Sequence, residues 1–185
     1  MSDKTVNIYT DGACSGNQNE KNTGGWGAVL EYGSNSREIY GGERNTTNNR
    51  MEMKALISAF DALNRDGLSI RVFCDSSYLM DCFRKKWYEK WLNNGWLTAK
   101  KDPVENRDLW EALLPWLSRH NISFYRVKGH ISINYQTEVN LKKLYAKFQE
   151  WNGKDFSYKC FIHVTEMNNL ADKLANKGIK ELVEL

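Results

Sequence analysis

Residues 5–11 alternate, with Val6, Ile8 and Thr10 on one side and Asn7, Tyr9 and Asp11 on the other. A period of two is that of a strand. Trp26 to Tyr32 and Arg37 to Glu43 read as two further strands, joined by the turn Gly33-Ser34-Asn35-Ser36. The intervening stretch 12–25, rich in Gly, Asn and Ser, reads as a loop or turn. Three strands with short links predict an antiparallel meander. At Thr46-Thr47-Asn48-Asn49-Arg50 the pattern changes to that of a helix start, with Asn or Thr available as cap. Leu56, Ile57, Phe60 and Leu63 give this helix an apolar face as far as about Asn64.

Beyond it, Arg71 to Asp75 reads as a short strand, and Ser76 to Phe83 and Trp87 to Leu92 as consecutive helical pieces. The break Asn93-Asn94-Gly95 follows. Asn106 to Arg119 is amphipathic, with Leu109, Trp110, Leu113 and Leu117 on one side, and Ile122 to Val127 reads as a last strand. Between residues 131 and 167, Leu141, Leu144, Tyr145, Phe148 and Trp151 form a helix-period stripe. Tyr158, Cys160, Ile162 and Val164 alternate like an extended piece, and a closing helix is predicted from about Asn169 to Lys180. Strands mixed with helices in this order predict an α/β domain with a mixed sheet.

Composition adds limits. The 185 residues suffice for one domain with a sizeable core, and 26% charged with 41% apolar residues is ordinary for a globular chain. No apolar run approaches the roughly 20 residues of a membrane span. Residues 1–5 show no signal-peptide pattern, so a cytoplasmic protein with no membrane association is expected. Cys14, Cys74, Cys82 and Cys160 form no C-x-x-C pair and read as reduced thiols. Net charge is only +3, but its distribution is uneven. Arg84, Lys85, Lys86, Lys90, Lys100 and Lys101 face one acid, Glu89, in a window that also holds Trp87, Trp91 and Trp96. A cationic, aromatic surface of this kind suits a phosphate backbone.

Four acids sit at unusual positions. Asp11 ends the first predicted strand before Gly12, where a D-G turn is the competing reading. Glu52 shares a helical stripe with Leu56, Ala59 and Leu63, though a first-turn acid also complements the helix dipole. Asp75 closes a strand, with capping of the next helix as the alternative. Asp172 follows Asn169 by three residues, as in an N-cap pairing. Each has a structural explanation alone. Together they fit a cluster at one sheet edge, whose mutual repulsion requires cations, and hard oxygen ligands select Mg²⁺ or Mn²⁺.

The motifs Thr10-Asp11-Gly12-Ala13-Cys14, Thr47-Asn48-Asn49-Arg50-Met51-Glu52, Asp75-Ser76, Val127-Lys128-Gly129-His130 and Asn169-Leu170-Ala171-Asp172 occur in this order. With Asn94-Gly95-Trp96 and Asp108-Leu109-Trp110, they resemble ribonuclease H of the type 1 family. The resemblance implies a mixed five-stranded sheet, three antiparallel strands then two parallel, flanked by helices in a single catalytic domain over 1–185. It also implies hydrolysis of the RNA strand of RNA–DNA hybrids by a two-metal-ion mechanism with Mg²⁺ (Mn²⁺ as a substitute), leaving 5′-phosphate and 3′-hydroxyl ends. By that similarity Asp11 bridges both ions, Glu52 and Asp75 hold the ion on the leaving 3′ oxygen, and Asp172 holds the ion that activates water. His130 assists water activation or product release. Asn17, Asn48 and Asn49 contact 2′-hydroxyls and Thr47 a DNA phosphate; for Asn48 and Asn49 helix capping is the alternative role. Residues 84–101 resemble the family's basic protrusion, in which Trp87, Trp91, Lys85 and Lys86 meet the DNA strand. Core packing is the competing role for at least one tryptophan. A monomer that removes RNA primers and R-loops is the corresponding expectation.

Two departures stand out. Ser77 stands where relatives often carry a glutamine contact. The segment between His130 and Asp172 is long, so 131–167 reads as an ordered insertion that contacts hybrid, contacts a partner or covers the sheet. Two rival readings are a hybrid-binding module without catalysis and a nuclease of the same fold acting on DNA.

Overall fold

The computed structural model describes residues 5–16 and 22–184. Strands β1 (Thr5–Ser15), β2 (Thr23–Tyr32), β3 (Asn35–Arg44), β4 (Ser69–Cys74) and β5 (Asn121–Arg126) form one sheet in the order β3-β2-β1-β4-β5. β1–β2 and β2–β3 pair antiparallel, and β1–β4 and β4–β5 pair parallel. The expected mixed sheet of three antiparallel and two parallel strands is the one found. Helices α1 (Asn48–Asp61), α2 (Ser77–Arg84), α3 (Trp87–Asn94) and α4 (Arg107–Arg119) precede β5 or flank β4; α5 (Glu138–Asn152) and α6 (Tyr158–Val183) follow.

Alternation along the strands sends side chains to two cores. Val6, Ile8, Ala28, Leu30, Ile70 and Val72 face α1, α2 and α4, meeting Leu56, Phe60, Leu79 and Trp110. Tyr9, Val29 and Phe73 face the opposite way, onto Phe148 of α5 and Phe161, Val164 and Leu174 of α6. The sheet is therefore sandwiched between two helical layers. Trp110 is fully buried beside Tyr78, Phe83 and Trp91. Trp110→Ala is expected to lower the free energy of unfolding by about 3–5 kcal/mol in a denaturant titration.

Three expectations need correction. Within the stretch 12–25, residues 12–15 and 23–25 are strand, because β1 continues to Ser15 and pairs Gly12↔Trp26, Ala13↔Gly25 and Cys14↔Gly24. Its small residues mark close packing rather than turning: a Cβ on Gly25 would overlap the Ala175 carbonyl of α6. Asp11 consequently lies inside β1 and not in a D-G turn. The alternating segment 158–164 is helical, and α6 runs unbroken from Ser157, whose side chain accepts from the Cys160 amide. Its buried residues, Phe161, Val164, Thr165, Asn168, Ala171, Leu174, Ala175 and Gly178, recur at three and four, and that longer stripe overrides the local period of two. Asp172 is thus mid-helix, and Asn169 is no cap; its amide donates to the Ile131 carbonyl. Helix α1 ends at Asp61 and not near Asn64.

The basic window 84–101 is held by left-handed backbone at Lys86 (φ 51°) and at Gly95 (φ 76°), which closes α3. Within 131–167 lie a short 3₁₀ turn (Ile133–Tyr135), α5 and the start of α6. Among the described residues, no helix is long and apolar enough to cross a membrane.

Candidate active site

The register brings two of the acids together. β1 and β4 run parallel, and their last partners are Thr10↔Cys74. Asp11 and Asp75 are the next residues on each strand, so their side chains emerge side by side. Glu52 comes from the first turns of α1, whose N-cap Thr47 accepts from the Arg50 amide at 3.3 Å. Gly12 lets α1 lie directly on β1, because a Cβ there would overlap the Glu52 backbone nitrogen. Asp172 reaches the same place from the middle of α6. The four acids line one cleft of about 590 Å³ together with Asn48, Asn49, Ser76, Ser77, His130 and Asn176.

Asp11 and Glu52 are each only 3% exposed. Burial first, then the charges of Asp75 and Asp172, push the Asp11 carboxyl up to about 7. Burial likewise holds Glu52 well above the usual carboxylate range, with Asp11 and Asp75 adding to it. Asp75 is raised for the same principal reason, against the opposing effect of His130. Within this cluster, Asp11 Oδ1 accepts from the Gly12 amide at 2.8 Å, whereas its buried Oδ2 has no hydrogen-bond donor among the described residues. The Cys74 thiol donates to Glu52 Oε2 at 3.5 Å, and the Ser76 amide donates to Cys74 Sγ at 3.4 Å. Ligand atoms of Glu52, Cys74 and Asp75 lie within 4.8 Å of one another. Asn176 donates to Asp172 Oδ1 at 3.1 Å, and His130 Nδ1 stands 3.9 Å from Asp172 Oδ2.

A bare buried carboxylate oxygen beside three more acids is electrostatically costly by itself. It is the arrangement a divalent cation relieves, and the oxygen-rich donor set suits a hard ion. The residues present therefore fit a divalent cation.

The remaining expected residues fall into three groups. Asn48 and Asn49 sit exposed in the first turn of α1, on the rim of the cleft. Trp87 and Trp91 line an adjoining groove of about 560 Å³ that shares Asn49 and Tyr78 with the cleft. Trp91 is 8% exposed and packs on Trp96 and Trp110, so most of its ring belongs to the core. Lys85 and Lys86 do not line that groove directly; they pair with Asp81 at 3.1 Å and Glu89 at 3.6 Å, and Lys85 Nζ stands 5.7 Å from the centre of the Trp87 ring. The lysine that lines the groove is Lys90. Asn17 lies outside the described residues.

Sequence reasoning missed Cys74, Asn176 and Tyr78; Lys90 was read only as one of the six basic residues of the window 84–101. Asn176 was detectable, since it stands four residues after Asp172 on the same helical face. A second cleft, of about 470 Å³, shares His130 and Asp172 with the first and is bordered by the 3₁₀ turn, where Tyr135 is 89% exposed.

The cleft thus joins Asp11 from within β1 and Asp75 from just beyond β4 to Glu52 of α1 and Asp172 of α6. The family model described as RNase H matches residues 3–180. The chain belongs to the RNase H family and is a nuclease. It is 45% identical over 148 residues to the ribonuclease H of Chlorobaculum parvum, covering 80% of this chain and 99% of that protein. The ribonuclease H of Syntrophomonas wolfei is 50% identical over 127 residues, 69% of this chain and 85% of that one. Among solved structures, the crystal structure of LC9-RNase H1, described as a type 1 RNase H with the type 2 active-site motif, superposes with a TM-score of 0.60 at 25% identity. That match covers 94% of this chain and 87% of the other.

Proposed function

We propose that this nuclease hydrolyses the RNA strand of RNA–DNA hybrids, with two divalent cations held by Asp11, Glu52, Asp75 and Asp172, Mg²⁺ or in its place Mn²⁺. The observation that carries the reading is the convergence of these four acids on one cleft, with Asp11 Oδ2 buried and, among the described residues, without a hydrogen-bond donor. When bound, such cations neutralise charge developing on the attacking and leaving oxygens of a phosphodiester.

The chain's own residues supply position and selectivity. Water attacks phosphorus and the P–O3′ bond breaks, leaving 5′-phosphate and 3′-hydroxyl ends. His130 is 75% exposed, on left-handed backbone beside Asp172, and takes up or returns a proton at Nδ1 on that side of the cleft. Asn48 and Asn49 present amides on the rim, at the height of Glu52, where a 2′-hydroxyl distinguishes RNA from DNA. The Thr47 hydroxyl is already used as a cap, which fixes that rim. Trp87 and Lys90 offer an aromatic face and a cation to the DNA strand in the adjoining groove. In this reading residues 84–101 form a basic protrusion, and residues 131–167 form an insertion whose α5 covers the sheet through Phe148. The enzyme acts as a monomer in the cytoplasm, on RNA primers and R-loops.

Offering labelled hybrid, double-stranded RNA and double-stranded DNA side by side with Mg²⁺, and again with EDTA, tests the substrate. Mg²⁺-dependent cleavage confined to the hybrid's RNA strand is expected; equal cleavage of DNA duplex overturns the reading. Trp87→Ala is expected to weaken hybrid binding by about tenfold, the worth of one stacked base, while single-turnover cleavage at saturating enzyme changes by less than about twofold. An equal drop in both would make Trp87 a core or positioning residue.

A further inference from the structure

The proposed cleavage assigns no role to Cys74, yet its sulfur lies close to two of the acids. It is fully buried at the end of β4, and its Sγ stands 3.5 Å from Glu52 Oε2. Sγ and carboxylate oxygens of Glu52 and Asp75 all lie within 4.8 Å of one another. In a tetrahedral zinc site, metal–sulfur and metal–oxygen bonds of about 2.3 Å and 2.1 Å set sulfur and oxygen about 3.6 Å apart. The Cys74–Glu52 separation is therefore already close to one edge of such a tetrahedron. Asp11 Oδ2, buried and without a hydrogen-bond donor among the described residues, is a further oxygen in the same cleft.

We propose that Cys74, Glu52 and Asp75 form a capture site for thiophilic divalent cations, Zn²⁺ or Cd²⁺, that blocks the nuclease by taking Glu52 and Asp75 away from the hard ion. Thiolate donors select soft or borderline metals, whereas carboxylate and carbonyl oxygens suit Mg²⁺. On capture, the Cys74 S–H bond breaks, its proton passes to solvent, and a sulfur–metal bond forms with no change of oxidation state. The thiol is hidden from bulk reagents, so access is through the cleft that Glu52 and Asp75 line. The other three cysteines lie outside this constellation. Cys14 is nearest in role, since it lines the cleft wall, but its thiol is directed at the Thr46 carbonyl.

The inhibitory part of the proposal rests on the acids being the metal ligands of the proposed function; the capture part does not. Cd²⁺ titration of the metal-free protein, without nucleic acid, reads capture directly through the ultraviolet thiolate-to-cadmium charge-transfer band. Wild type is expected to develop the band at one equivalent. Cys74→Thr, which keeps a hydroxyl near Glu52 and a strand-compatible side chain, is expected to lose it and to bind Cd²⁺ about tenfold or more weakly. Cys14→Ser is expected to keep it. A cooperative thermal transition in Cys74→Thr establishes that the variant is folded, and Cys74→Ser serves where it is not. In cleavage assays at fixed Mg²⁺, Cd²⁺ is expected to inhibit wild type at lower concentration than either Cys74 variant. A band that survives in both Cys74 variants, or one lost in Cys14→Ser, overturns the proposal. A band lost as expected with no Cd²⁺ inhibition retains the capture site and removes the assigned role of the acids instead.

Discussion

Asp11→Asn is expected to lower cleavage of an RNA–DNA hybrid by about 10³-fold or more, an effect of about 4 kcal/mol on the barrier, without weakening hybrid binding. The side chain keeps its size and can still accept from the Gly12 amide, so the local backbone has no reason to move. What it loses is charge, at a buried oxygen in the cleft shared with the other three acids. A neutral amide cannot balance a dication, and the phosphodiester loses the electrostatic stabilisation on which phosphoryl transfer depends. Hybrid affinity comes from the rim asparagines and the Trp87 groove, which the substitution leaves alone. Single-turnover cleavage and an equilibrium binding isotherm on the same variant check both halves. Retained turnover would remove Asp11 from the metal ligands.

The second large effect appears in the metal-free protein. Asp11 binds its proton more tightly when folded, from an ordinary 3.8 up to about 7, chiefly through burial and then through Asp75 and Asp172. Glu52 and Asp75 shift in the same direction. Across that window the native state carries more protons than the unfolded chain, so stability is full below about 3.8 and falls as pH rises towards 7. At about 1.4 kcal/mol per pH unit, Asp11 contributes a loss of up to about 4 kcal/mol. For a chain of this size that is a fall of about 10 °C in melting temperature. In EDTA, the melting temperature of wild type relative to Asp11→Asn is expected to decline between pH 4 and 7, with the variant the more stable at pH 7. Mg²⁺ is expected to narrow the difference, because it binds the ionised form. Parallel pH profiles for the two proteins would show that Asp11 is not held against its charge.

Both effects trace to features that were partly legible in the chain. The meander and the α1 stripe carry clean periods, because their apolar residues recur on faces that meet a core. The adjacency of Asp11 and Asp75 was only half legible: the sequence put each acid at a strand end, whereas Asp11 lies within β1, and the parallel pairing of β1 with β4 places the two together. Legibility failed where tertiary packing replaced local pattern. Gly12, Gly24 and Gly25 resembled loop residues, yet they are small because α1 and α6 press against β1 and β2. Residues 158–164 showed a strand's alternation by coincidence; the helical stripe that governs them continues to Gly178, beyond any short window. The position of Asp172 within α6 was hidden for the same reason. Trp91 and Trp96 read as part of an aromatic, cationic surface, with core packing as the competing role for at least one tryptophan; both are buried, Trp91 between Trp96 and Trp110. The Cys74–Glu52 contact joins a strand end to a helix and left no periodic trace.

The most direct measurement is Mn²⁺ binding, followed by electron paramagnetic resonance, to the protein in complex with a hybrid whose RNA linkage cannot be cleaved. Mn²⁺ uptake that disappears in Asp11→Asn and falls in Asp75→Asn and Asp172→Asn is the result expected if these carboxylates share their charge with cations. Uptake unchanged by all three substitutions, or none in the wild-type complex, would contradict it.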